Sequence, residues 1–229
     1  MFCLFLTFTH TDLAVQLSDV EHAALERLIR SVPLVARAHV LTPAVAKDRY
    51  YDDGPPPMLA LQLYFTRLEQ AEAAIASEGT LQGLFGPDFP SLTAAEASHQ
   101  VMWTRPFPVE ASPPEAAGPS CAFMVHYHGE PDDAHAWHRF YLQHHPAIMA
   151  TFPQIRDIEI YTKVDWIDTL PSRRVEYFQR NKIVFDSAAA LETALTSPTR
   201  ERMKADRKQF PPFSGGSIHV PMHSKTILG

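Results

Sequence analysis

The sequence contains one pattern twice. Sliding the C-terminal half over the N-terminal half at an offset of 120 brings Val32-Pro33 onto Phe152-Pro153, LVARAHVLT (34–42) onto QIRDIEIYT (154–162), and His99 onto His219. At the same offset LYFTRLEQAEAAIAS (63–77) falls on IVFDSAAALETALTS (183–197). The first strands match at 118, with FCLFLTFTH (2–10) on SCAFMVHYH (120–128), which takes Cys3 to Cys121, Phe8 to His126 and His10 to His128. Matching blocks in one order, shifted by two residues, are what two copies of one unit with unequal loops produce. The chain is therefore restricted to folds made of two like units.

Each unit reads as strand, helix, strand, strand, helix, strand. In the second, CAFMVHYH (121–128) alternates, and DAHAWHRFYLQHHPAIMA (133–150) carries apolar residues at helical spacing behind Pro131-Asp132. IRDIEIYT (155–162) and EYFQRNKIVF (176–185) read as strands, SAAALETAL (187–195) as a helix and SIHVPMHSKTIL (217–228) as the last strand. The first unit gives strands near 2–9, 34–42, 58–65 and 97–104, with helices near 18–31 and 67–78. This is the βαββαβ ferredoxin-like pattern, an α+β class. Two such sheets packed face to face would cover each other's apolar faces and enclose a cavity. PFPVEASPPEAAGPS (106–120), with five prolines, reads as the connector. The expected domains are 1–105 and 119–229, joined by 106–118. KDRYYDDGPPP (47–57) interrupts the first unit and reads as a surface loop, with a lid or partner contact as the alternative.

Charge narrows the function. Lys+Arg is 20 against Asp+Glu 26, a formal −6, so a basic surface for nucleic acid is absent. There is no run of about 18 apolar residues to span a membrane. The apolar opening MFCLFLTFTHTDLA lacks a basic start and a small-residue cleavage site, and two cysteines make no disulfide scaffold. The expected location is the cytoplasm. No GxSxG, GxGxxG or Walker loop occurs.

FYLQHHPAIMATFPQIRDIEIY (140–161) resembles the EthD-like family of dimeric α/β-barrel proteins: an aromatic-rich helix ending in His145, small and apolar residues, then Pro153 before the second strand. The resemblance covers 119–229 well and the first half through the repeat alone. It implies a tandem form of the dimeric α/β barrel, a homodimer, and a small-molecule enzyme without organic cofactor. Leu25 stands where His145 would fall, implying an active second unit and a degenerate, structural first unit.

Alternation sorts the second unit's faces. Cys121, Phe123, Val125 and Tyr127 suit packing on helices, which turns Ala122, Met124, His126 and His128 toward the cavity. Likewise Arg156, Ile158 and Ile160 pack on helices while Asp157, Glu159 and Tyr161 look inward. His219, Pro221 and His223 share one face. The expected site has His145 or His126 as general acid/base, with Tyr161, Glu159 and Asp157 orienting or stabilising. His128, Met124, His144, Tyr141, His219 and His223 would line the substrate. The expected reaction is a lyase, dehydratase or isomerase step on an aromatic, lactone or polyketide-like compound. Three other readings compete. His126-x-His128 with His219 or His223 and Glu159 would hold a metal. An axial histidine in the second unit would hold haem, making the chain an oxidoreductase or monooxygenase. A non-catalytic binding protein is the third. His145 at a helix end would also serve as a cap.

Overall fold

Short-range chemistry sets many element ends in the computed structural model, which describes residues 1–110 and 119–229. β1 (Phe2–Thr9) leads into α1 (Asp19–Ser31). Ser18 opens this helix: its hydroxyl accepts from Glu21 N, and the Glu21 carboxylate accepts from Ser18 N, a reciprocal cap. β2 (Val35–Pro43), β3 (Leu59–Phe65), α2 (Leu68–Ile75), a 3-10 turn at Thr80–Phe85, α3 (Pro90–Thr93) and β4 (Glu96–Phe107) follow. The later part runs β5 (Ser120–His128), α4 (Ala134–Met149), β6 (Ile155–Lys163), β7 (Arg173–Arg174), β8 (Gln179–Phe185), α5 (Ala188–Thr196), α6 (Pro198–Arg207) and β9 (Gly216–Leu228). Asp133 caps α4 by accepting from His135 N and Ala136 N, and Ser187 caps α5. Leu34 and Gln154, which precede β2 and β6, both adopt left-handed backbone, at φ 59° and 60°. Non-glycine residues seldom do so, and here it recurs at equivalent positions.

The strand order is β4-β1-β3-β2 over the N-terminal half and β6-β8-β5-β9 over the C-terminal half, all antiparallel. β2 pairs with β9 and β4 with β6, so the eight strands close into one barrel within a single chain. β7 adds to β4 in parallel. The helices lie outside. Leu4, Leu6 and Phe8 pack beneath the first set, and Phe123, Val125 and Tyr127 beneath the second. A third cluster, including Cys3, Phe5, Tyr64, Met124 and Tyr161, fills the barrel's interior.

Several expectations change. The first-strand match at 118 is one residue out of step, because Cys3 faces the interior and Cys121 the helices. Aligning Leu4, Leu6 and Phe8 with Phe123, Val125 and Tyr127 keeps the faces and needs 119. A slip of one inverts every side chain. The connector begins later than residue 106: Arg105, Pro106 and Phe107 still pair with Ile160, Glu159 and Ile158. Residues 111–118 of the expected connector lie outside the described residues. The chamber expected between the sheets is filled by side chains, as the width of an eight-stranded barrel allows. α6, which the residue pattern did not predict, packs against α4 and α5 on the C-terminal outer face.

Candidate active site

The sheet divides the expected site residues into two groups. Glu159, Tyr161, Asp157, Met124 and His126 face the barrel interior. Glu159 is the centre of the inner group. Its carboxylate accepts from Tyr64 Oη, Tyr161 Oη and Lys182 Nζ, each at 2.6 Å, and from Arg37. Burial raises its pKa, but Lys182 and Arg37 outweigh that and hold it at about 2. A carboxylate so paired is a fixed counter-ion. Arg37 and Tyr64 come from the N-terminal half, Glu159, Tyr161 and Lys182 from the C-terminal half, so the network ties the halves together. Burial pushes Asp157 up, and Lys182 lies 3.7 Å from it. His126 sits beside Tyr177, ring centroids 5.2 Å apart, and burial drives its pKa well down.

His145, Tyr141 and His219 lie on the opposite face, between the sheet and its helices. His145, in the last turn of α4, is buried, and its Nδ1 is 2.6 Å from Asp206 Oδ2 of α6. An ionised carboxylate only accepts, so Nδ1 carries the proton and Nε2 keeps its lone pair. Burial lowers the imidazole pKa, against the pull of Asp206, which keeps the ring neutral. Tyr141 packs against it at a tilt, centroids 4.7 Å apart, and its hydroxyl accepts from Asn181 Nδ2 at 2.5 Å.

His145 borders a cavity of about 50 Å³. Phe123, Val125, Met149, Ile183, Leu195 and Met203 make its apolar walls. Its charged lining is cationic throughout: Arg200, Lys204 and Arg207, all from α6. Arg200 pairs with Asp48 at 2.5 Å, whereas Lys204 and Arg207 have no carboxylate partner among the described residues.

The segment expected as a surface loop closes this cavity. It crosses from the N-terminal half and docks on α5, α6 and β9. Lys47 N donates to Glu192, Arg49 to Thr196 O, and Tyr50 Oη to Glu201. Arg207 donates to Tyr51 Oη at 2.7 Å, and Asp53 Oδ2 accepts from both the backbone N and Nδ1 of His219, each at 2.8 Å. Burial lowers His219 to about 4.

Three expected residues join neither group. His144 is exposed, with Nδ1 on Phe140 O at 2.7 Å. His128 is exposed at the barrel end. His223 shares His219's face but lies at the β2–β9 seam, beside a separate groove against α1. The expected metal set is split as well, since His219 and His223 point away from Glu159 across the sheet. No group of three or more His, Cys, Asp or Glu suited to a metal occurs among the described residues. The sequence reading missed Asp206, Arg200, Arg207, Asn181, Tyr51 and Asp53. A signal for α6 existed: Ser197-Pro198 is a favourable helix start, followed by RERMKADR.

No family model and no curated protein matches the sequence. Solved structures do. An anthrone oxidase-like protein is 12% identical, with a TM-score of 0.58, covering 99% of this chain and 93% of its own. A putative monooxygenase from Lactobacillus acidophilus NCFM is 10% identical at TM-score 0.54, covering 98% and 94%. A chlorite dismutase from Candidatus Nitrospira defluvii is 10% identical at 0.53, covering 96% and 90%. At these identities the likeness shows the fold alone, the eight-stranded barrel with its helices outside. An EthD-family protein from Bacillus halodurans is 16% identical at TM-score 0.34, covering 43% of this chain and 95% of its own. The expected lyase or isomerase chemistry is corrected by the same comparisons, whose full-length matches bear names of oxidation and dismutation enzymes.

Haem, the alternative raised by the wider superfamily, finds one suitable donor in His145 backed by Asp206. It finds no room. The cavity of about 50 Å³ compares with about 300–1,000 Å³ for ordinary ligand pockets, and Trp137, Tyr141 and Phe210 pack the neighbouring space. The pocket as built does not fit the macrocycle. No helix among the described residues is long and apolar enough to cross a membrane.

Proposed function

We infer that the chain is an oxidoreductase of the monooxygenase kind, which uses dioxygen to oxidise a small aromatic molecule beside His145, admitted when Tyr51 leaves the cavity. The observation that carries this reading is a neutral imidazole, held by Asp206 on one nitrogen and presenting the other to an apolar, cation-rimmed cavity. Such a base removes an acidic proton from a carbon or oxygen activated by the ring, and the α6 cations stabilise the anion formed. The anion is the electron-rich partner that dioxygen requires. For a methylene between two aryl rings that a carbonyl activates through those rings, as in anthrone, the balance closes with dioxygen alone: two hydrogens leave carbon, one oxygen atom becomes the new carbonyl and the other leaves as water. Asp206 acts as a positioning residue through His145.

The repeated strand order supports a further reading, that the barrel arose as two ferredoxin-like units in tandem, with the N-terminal unit structural. Barrel closure within one chain leaves a homodimer to form through outer surfaces. Anthrone is the first probe to try, because one structural neighbour is named for it. The test is oxygen uptake with product analysis. One oxygen consumed per product, abolished in His145→Ala, supports the reading. Turnover without oxygen uptake, or uptake unchanged in that variant, rejects it.

A further inference from the structure

Tyr51 is an odd member of the cavity lining. The floor, walls and cations come from the C-terminal half, and Tyr51 is carried in from the N-terminal half. Its ring stacks on His219, with centroids 3.9 Å apart and planes at 18°. Its hydroxyl takes Arg207 Nη1, a cation with no carboxylate partner among the described residues. Together the contacts make a built subsite: an imidazole face for an aromatic ring and a guanidinium for the oxygen on it. With Tyr51 present the cavity of about 50 Å³ holds no second ring.

One tether next to Tyr51 is weak. The Arg49–Glu201 pair has side chains 45% and 53% exposed, and exposed pairs contribute on the order of 1 kcal/mol or less. Tyr51 itself belongs to none of the buried core clusters. The segment is anchored on both sides of Tyr51, by Asp48 on Arg200 in a buried ion pair and by Asp53 on His219. Between those anchors the Tyr51 ring itself is held by stacking and one charge-assisted bond, and a ligand offering the same two features displaces it.

We propose that Tyr51 holds the place of the substrate, and that the ligand class is an aryl hydroxyl compound whose ring stacks on His219 and whose oxygen takes Arg207. This rests on the reading of the cavity as the active site and supplies its substrate class. Binding brings the oxygen to the α6 cations and turns Tyr51 outward between the Asp48 and Asp53 anchors, which enlarges the cavity.

The experiment is equilibrium binding under nitrogen, so that it is independent of any oxidation. The probes are 4-methylphenol (the tyrosine side chain itself), toluene and 4-methylbenzoate, measured by calorimetry. Tyr51→Ala is expected to bind 4-methylphenol at least about 10-fold more tightly than the unaltered chain does, and about 10-fold more tightly than it binds toluene. Adding Arg207→Gln removes that preference, and Arg207→Lys restores part of it. Equal binding of 4-methylphenol and toluene overturns the proposal, and so does Arg207-dependent binding of 4-methylbenzoate alone. Limited trypsin digestion of the unaltered chain serves if Tyr51→Ala does not fold. Cleavage after Arg49 is expected to accelerate several-fold with 4-methylphenol and not with toluene, and cleavage indifferent to both overturns the proposal. Selective binding without oxygen uptake leaves this inference standing and rejects the oxidoreductase reading. Oxygen uptake with no phenol selectivity does the reverse.

Discussion

The two outer faces of the barrel are built alike and finished differently. Over each, the connection after the second strand of the opposite half crosses the barrel and reaches a histidine of the last strand through an aspartate. On the N-terminal face Asp168 lies 2.9 Å from His99 Nε2, and on the C-terminal face Asp53 takes His219 Nδ1. Beyond that they part. The segment over the N-terminal face drives Trp166 and Leu170 into the core, and Leu25 stands where the other face has His145. The segment over the C-terminal face brings Tyr50, Tyr51 and charged residues, pairs Asp48 with Arg200, and leaves a cavity beneath. One topology thus yields a plug and a lid. The difference lies in which side chains cross.

That contrast breaks first at His145. His145→Ala should lower turnover by about 10²–10⁴, the range for a general base, while Leu25→Ala should act through stability alone. Rates with the probe substrate, beside urea midpoints, separate the two. Because burial lowers the His145 pKa, the base stays unprotonated, and turnover should hold as pH falls through the ordinary imidazole range near 6.5. A rate halved at pH 6.5 would contradict this. Next comes the plug. Trp166→Ala should cost about 3–5 kcal/mol of folding stability, since it empties a buried indole site. A urea midpoint shift below 1 kcal/mol would make the plug a second lid.

The acid response tests the histidine latch with a smaller effect. Unfolded histidine gains its proton near 6.5, whereas folded His219 does so only at about 4. The unfolded chain therefore binds more protons between these values, and stability falls as pH drops through that window, by up to about 1.4 kcal/mol per pH unit for this site. His219→Gln should flatten the slope by that amount in urea titrations at pH 7 and 4.5. The smallest effect belongs to the lid: Tyr51→Ala should change stability by about 1 kcal/mol or less. A loss approaching that of Trp166→Ala would erase the distinction between the two segments.

The strand facings were legible because alternation is local. Asp157, Glu159 and Tyr161 point inward and Ile158 and Ile160 outward, as a period of two requires. The error at β1 has the same origin: similarity of residue type favoured Cys3 on Cys121, although only an odd offset preserves the faces. The union of His145 with Glu159 failed for another reason. A helix residue and an inward strand residue of one half have the sheet between them, and no residue pattern on either element states that. α6 was passed over because its counterpart in the first half is a 3-10 turn and a four-residue helix, so the repeat offered no template.

By itself the sequence determined most of the strands and helices and their order, and which residues of β5 and β6 would share a face. These follow from periodicities of two and about 3.6 residues and from caps within a few positions. Tertiary structure alone decided that Asp206, 61 residues beyond His145, would hold its ring, and that Asp53, 166 residues before His219, would close the cavity. Such contacts depend on how the barrel closes and which way each crossing segment runs. Those are properties of the whole sheet, which no local pattern encodes.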